Sequence, residues 1–155
     1  MINTVSKNFE VLIAEANRKL KTADHLIYVT YPLLKEEKLF IKIIELISDA
    51  LQNCIKAALF HDYYWKRIEL ANFDYTLFKE RRKIYNLNED EIKFFEDIFM
   101  ILEKHKKAPV EFIRKKEFVI LEENLATLQL SSEKVRGYLF KAKSIVEKVQ
   151  KRLRY

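Results

Sequence analysis

Residues 39–60 read LFIKIIELISDALQNCIKAALF, and this stretch decides the fold. Its polar positions Lys42, Glu45, Asp49, Asn53 and Lys56 recur at steps of three and four. Ser48 and Gln52 aside, everything else is apolar. A period near 3.6 means an α-helix, and the narrow polar stripe leaves an apolar arc far wider than the ~100° that one buried face needs. Such a helix belongs at the centre of a bundle, or it packs on its own domain and on a second copy. The wide arc therefore makes a homodimer the expected assembly.

The same period extends outward. Val5, Phe9, Leu12, Ala16, Leu20, Ala23 and Ile27 form one stripe of a preceding helix. Pro32 has no amide donor and restricts Tyr31, so that helix ends or kinks there. Downstream, Asp74 and Asn88 look like helix N-caps, and Glu91 three residues after Asn88 completes a capping-box pattern. Ile92, Phe95, Phe99 and Leu102 share a side of the helix that follows, and Pro109 closes it. Residues 107–117 read as irregular. Phe118–Leu121 and Leu125–Leu130 are β-prone around Glu122-Glu123-Asn124, which predicts a short hairpin near 118–130. Ser131 or Ser132 then caps a last helix whose seam is Val135, Leu139, Ala142, Val146, Val149 and Leu153.

The expected fold is all-α: one helical-bundle domain over 1–155, with five helices at 4–31, 35–68, 75–86, 89–106 and 132–153. One glycine and two prolines among 155 residues leave few turns with positive φ, which favours long helices over many strands. A chain 49% hydrophobic has enough apolar content to fold. Cys54 is the single cysteine, so no intrachain disulfide and no cysteine-based zinc site forms, and a reducing cytoplasm is the expected location. The N-terminus lacks the basic start and apolar core of a secretory signal. No run of ~20 residues is free of charge, so no transmembrane segment is expected.

Charge is concentrated at one end. Residues 131–155 hold Lys134, Arg136, Lys141, Lys143, Lys148, Lys151, Arg152 and Arg154 against Glu133 and Glu147. The whole chain carries +6, and residues 1–130 are balanced. A localised positive face suits a polyanion such as RNA or a ribonucleoprotein, because neutralising phosphates releases counterions. Lys141, Lys148, Lys151 and Arg152 are the first candidates for nucleic-acid contact. Lys106, Lys107, Arg114 and Lys115, on either side of Pro109, are the second set. The bland alternative for both is a solvated surface.

Aromatics and cations also interleave over residues 60–85 (Phe60, Tyr63, Tyr64, Trp65, Phe73, Tyr75, Phe78 and Tyr85). Rings at helical spacing are more often core than base-stacking surface. His25, His61 and His105 are far apart, HExxH is absent, and Cys54 and His61 on one helix are separated by ~10.5 Å of rise, so no metal site is expected. No glycine-rich phosphate loop and no nucleophile elbow occurs, and no cofactor is expected. The reading is a non-catalytic binding protein. The alternative is a protein-interaction module that docks a protein partner and has no nucleic-acid role.

An early helix with Ala23-Asp24-His25-Leu26, followed by a long alanine-bearing helix ending Ile55-Lys56-Ala57-Ala58-Leu59, resembles the HEPN superfamily of small helical bundles over roughly residues 5–106. The resemblance implies a dimer acting on or near RNA, since many members sit beside nucleotidyltransferases or in toxin–antitoxin systems. Ribonuclease members carry an Arg, four to six residues and a His late in the bundle. Here the later half holds only His105, with no Arg at that distance before it. Arg18 and His25 have the spacing but lie in the first helix, which makes a ribonuclease the third reading. The Lys/Ile/Glu-rich, glycine-poor composition also resembles that of small archaeal proteins.

Overall fold

The computed structural model describes residues 2–69 and 74–153, with side chains from Asn8 onward. The Val5 side chain, Phe73, Arg154 and most of the turn-like 69–74 lie outside the described residues. The elements are α1 (Ile2–His25), a π-helical turn (Leu26–Thr30), α2 (Tyr31–Leu34), α3 (Leu39–Tyr64), α4 (Tyr75–Glu80), α5 (Glu89–Lys107), β1 (Val110–Arg114), β2 (Glu117–Leu121), β3 (Thr127–Leu130) and α6 (Ser132–Leu153).

The helix α3 is the centre. It packs against α1, α4, α5 and α6, and its apolar arc from Phe40 to Leu59 is buried within the one chain. The width of the arc thus needs no second subunit to explain it. The stripe of α1 faces α3 through Phe9, Ala16, Leu20, Ala23 and Ile27, all buried, with Ile13 beside them. Alanines at 16 and 23 on α1 and at 50, 57 and 58 on α3 are all buried in the same core, and small residues let two long helices approach closely.

Pro32 does not end the helical run that α1 begins. One extra residue is accommodated ahead of it: the Tyr31 amide donates to Leu26 O, five residues back, and the chain stays helical to Leu34. Widening the turn before a proline relieves the clash between its ring and the preceding turn. Lys35, with φ of 50°, then stops the helix. The Tyr31 ring packs 4.8 Å from that of Phe40 at the start of α3.

The caps form as their sequences require. Asn88 Oδ1 accepts from the Glu91 amide at 2.8 Å, and the Asn88 amide donates to Glu91 Oε1 at 3.1 Å. Asp74 accepts from the Leu77 amide, and Ser131 Oγ accepts from the Lys134 amide. The helix expected over 75–86 stops at Glu80. Single turns carry the chain on to Asn86, whose φ is 59°. In α6 the expected seam is buried, and Ile145 joins it, so the apolar face is wider than the heptad.

The main correction concerns residues 107–130. They hold an antiparallel three-stranded sheet in the order β1-β2-β3, more than a short hairpin. β1 runs through the segment read as irregular. It is an exposed edge strand, so Val110-Glu111-Phe112-Ile113-Arg114 carries only a weak alternation. Phe118, Ile120 and Leu130 pack one face of the sheet on the helical core. Phe112, Val119 and Gln129 lie in register on the other face.

Candidate nucleic-acid interface

The cations of α6 do not form one open surface. Lys134, Lys141, Lys148 and Arg152 recur at steps of seven, seven and four, so they share one flank. That flank faces neighbouring structure. Lys148 Nζ lies 2.9 Å from Glu91 Oε1, the carboxylate that closes the α5 capping box. Arg152 Nε donates to Ile84 O at 3.1 Å, and Lys134 Nζ donates to Gln129 O at 3.0 Å. Lys141 Nζ sits 5.9 Å from the centroid of Phe94. On the opposite flank Lys143 pairs with Asp24. Lys151 points outward and pairs with Glu147 one turn back at 3.2 Å. Arg136 makes no ion pair among the described residues.

The second set divides. Lys107 pairs with Glu103 at 2.9 Å and Lys104 with Glu122 at 3.4 Å. His105 Nδ1 lies 2.6 Å from Glu111 Oε2. Lys106, Arg114, Lys115 and Lys116 are exposed and form no ion pair among the described residues.

Their placement follows from the β1–β2 turn. Arg114 faces Glu117 in register, which leaves Lys115 and Lys116 as a two-residue loop, with φ of 50° and 64°. Two-residue hairpin loops with both residues at positive φ strongly prefer Asn-Gly, because a side chain with Cβ strains there. This chain puts two lysines at that place. The strained turn projects adjacent ammonium groups from the tip of the hairpin. Beside it, on the outer sheet face, runs a groove of about 260 Å³ that includes Phe112, Arg114, Lys115, Thr127 and Gln129 along its walls, with Val119 at its floor. Glu117 also borders it. Phe112 keeps 38% of its surface exposed. An exposed ring, cations and uncharged donors on one sheet face are the elements that stack and hold an unpaired nucleotide chain.

In the aromatic segment 60–85, Phe78 and Tyr85 are fully buried and stack at 5.1 Å between centroids, Phe60 and Tyr75 pack part-buried against the same core, and Trp65 is half exposed. Cys54 is buried, and burial pushes its thiol up to about 12, so it is an unreactive core residue. No metal-holding cluster occurs among the described residues. None of their helices is long and apolar enough to cross a membrane. Arg18 is paired with Glu15, and His25 Nδ1 lies 3.5 Å from Thr30 Oγ1. Both remain on α1, seven residues apart.

One polar cluster escaped the sequence reading. His61 and Asp62, at the end of α3, are each 1% exposed. Asp62 Oδ2 accepts from Arg81 Nε at 2.9 Å and from the Tyr85 hydroxyl. Oδ1 lies 3.6 Å from Arg67 and 3.9 Å from His61 Nδ1. Burial alone would raise the Asp62 carboxyl. His61, Tyr85 and Arg81, with the Arg81 charge, outweigh it and hold the group at about 2. Burial and the adjoining carboxylate push the Tyr85 phenol upward. Only the dipeptide His61-Asp62 inside an apolar arc signals this cluster in the sequence. Its partners Arg81 and Tyr85 lie 19 and 23 residues onward.

No protein-family model and no curated protein matches the chain.

Proposed function

We propose that the protein is a non-catalytic binder of single-stranded RNA, alone or within a ribonucleoprotein, and that contact centres on the outer sheet face and its Lys115-Lys116 turn. The observation that carries this reading is the turn itself. Two lysines occupy positions where the backbone favours Asn-Gly, they have no carboxylate partner among the described residues, and Lys115 borders a groove with an exposed Phe112. Stability does not account for that choice of residues, and an anionic ligand does. The α6 cations are secondary in this reading, because neighbours already hold Lys148, Lys151 and Arg152.

Fluorescence anisotropy with a labelled single-stranded RNA, at several salt concentrations, tests the proposal. Arg114→Ala/Lys115→Ala/Lys116→Ala is expected to weaken binding at least about tenfold and to flatten the logarithmic salt slope by about 2, since each single-strand phosphate contact contributes ~0.7. Lys141→Ala/Lys148→Ala/Lys151→Ala/Arg152→Ala is expected to change it less than about threefold. The reverse pattern returns the site to α6. Undetectable binding by the unaltered protein removes the RNA reading.

One observation favours the interaction-module reading. β1 is an edge strand that exposes Val110, Phe112 and Ile113 along with its free backbone groups. A second copy adding its own β1 would cover them. Light scattering distinguishes the two: a dimer that Ile113→Lys disperses supports strand-to-strand pairing.

A further inference from the structure

At the far end of α6 from the sheet, a cavity of about 640 Å³ opens between the first half of α1, the end of α3 and the last turns of α6. The 22 residues of α6 rise ~33 Å, so this cavity is remote from the sheet groove. Its walls include four rings: Phe9, His61, Tyr64 and Trp65. Phe9 meets His61 edge-on at 4.9 Å, and Tyr64 meets Trp65 edge-on at 5.1 Å. Trp65 is 51% exposed, although it is the chain's single tryptophan and one of its most apolar surfaces. Across from the rings, Asn17 Nδ2 donates to Gln150 Oε1 at 3.2 Å.

His61, in the cavity wall, is unusual in its own right. Its Nδ1 is buried without a hydrogen bond and faces Asp62 Oδ1, 3.9 Å away, which has none either. Unpaired buried polar groups are costly.

We infer that this cavity binds a nucleobase. Its volume suits a molecule of nucleoside size. Flat aromatic walls stack on any base, and base edges carry both donors and acceptors. The amides of Asn17 and Gln150 offer both in return, and the Glu10 carboxylate at the rim accepts from an exocyclic amine. The base can belong to a free nucleotide or to an unpaired residue of a strand.

The position of Trp65 gives a direct readout, since its fluorescence reports occupancy in the full-length protein. Titration with AMP, GMP, CMP and UMP, and with a short single-stranded oligonucleotide, is expected to give saturable quenching after inner-filter correction. Asn17→Ala/Gln150→Ala, at the rim, is expected to weaken it at least fivefold. His61→Phe, which keeps the volume and removes the nitrogens, is expected to do likewise. Quenching at lower concentration by the oligonucleotide than by any mononucleotide assigns the base to a strand. Equal or stronger quenching by a mononucleotide assigns it to a free nucleotide. No saturable quenching by any of them, or quenching that the Asn17/Gln150 variant leaves intact, overturns the inference. The variant at Arg114, Lys115 and Lys116 should leave the quenching by the mononucleotides unchanged, so this result and the fate of the sheet interface are read separately.

Discussion

Most cations of α6 have partners, whereas Lys115 and Lys116 of the β1–β2 turn have none among the described residues. Along α6, helical geometry turns Lys134, Lys141, Lys148 and Arg152 toward the β3–α6 junction, α5 and the segment ahead of it, where a carboxylate, two carbonyls and a ring receive them. At the hairpin tip the chain reverses into solvent, and Lys115 and Lys116 meet no such partner among the described residues. Equal densities of positive charge in a sequence therefore differ in what they offer a ligand. A long side chain on a packed helix finds a local partner, and the same side chain on an isolated turn keeps its charge available.

The largest expected effect comes from charges more enclosed than either set. Asp62 is held at about 2, below its ordinary value near 3.8, so the folded state binds its proton less readily than the unfolded chain. Its contribution, about 2 kcal/mol, is complete above about pH 5 and is lost as pH falls toward 2. Urea unfolding of Asp62→Asn should show lower stability at neutral pH and a difference from the unaltered protein that shrinks across that window. A difference independent of pH would mean that the cluster is not held by ionic contacts.

A smaller effect tests the hairpin side of the contrast. Lys115→Asn/Lys116→Gly relieves two strained backbone positions and should raise stability by about 1 kcal/mol while weakening RNA binding several-fold. Stability gained without any loss of binding would break the contrast, because the lysines would then serve neither role. The smallest effect tests the helix side. Glu91→Gln leaves Lys148 without its carboxylate, weakens the α5 cap and should cost about 0.5–1 kcal/mol. RNA affinity should move by less than about twofold. A marked rise would show that pairing alone keeps α6 from the ligand.

Much of this architecture can be read from local pattern. The Phe9-to-Ile27 stripe, the apolar arc of α3 and the Asn88–Glu91 cap are set by residues within a turn or two of one another, and each appears where the sequence puts it. β1 could not be found that way. Its residues are exposed, and its turn carries Lys-Lys in place of a turn dipeptide, so neither burial nor punctuation marked it. Ile145 was missed because a strict heptad is narrower than the face that α6 buries. Of the interface residues, composition identified the cations, and only tertiary packing separated the held from the free. The Asp62 cluster and the His61 cavity depend on contacts across 19 residues or more, and no local spacing encodes those.

The widened turn at Leu26–Thr30 has a consequence for how this bundle tolerates change in length. It is a stored insertion: one residue looped into the coil without breaking it, just ahead of a ring that a regular coil would reject. Removing one residue between 26 and 30 would restore regular winding, and because four residues of regular helix turn the chain about as far as the five of the wide turn, everything after it would keep its bearing. Tyr31 would stay near Phe40, but Pro32 would press on the turn behind it. Five residues of irregular winding thus seat the proline without turning the chain away from its central helix.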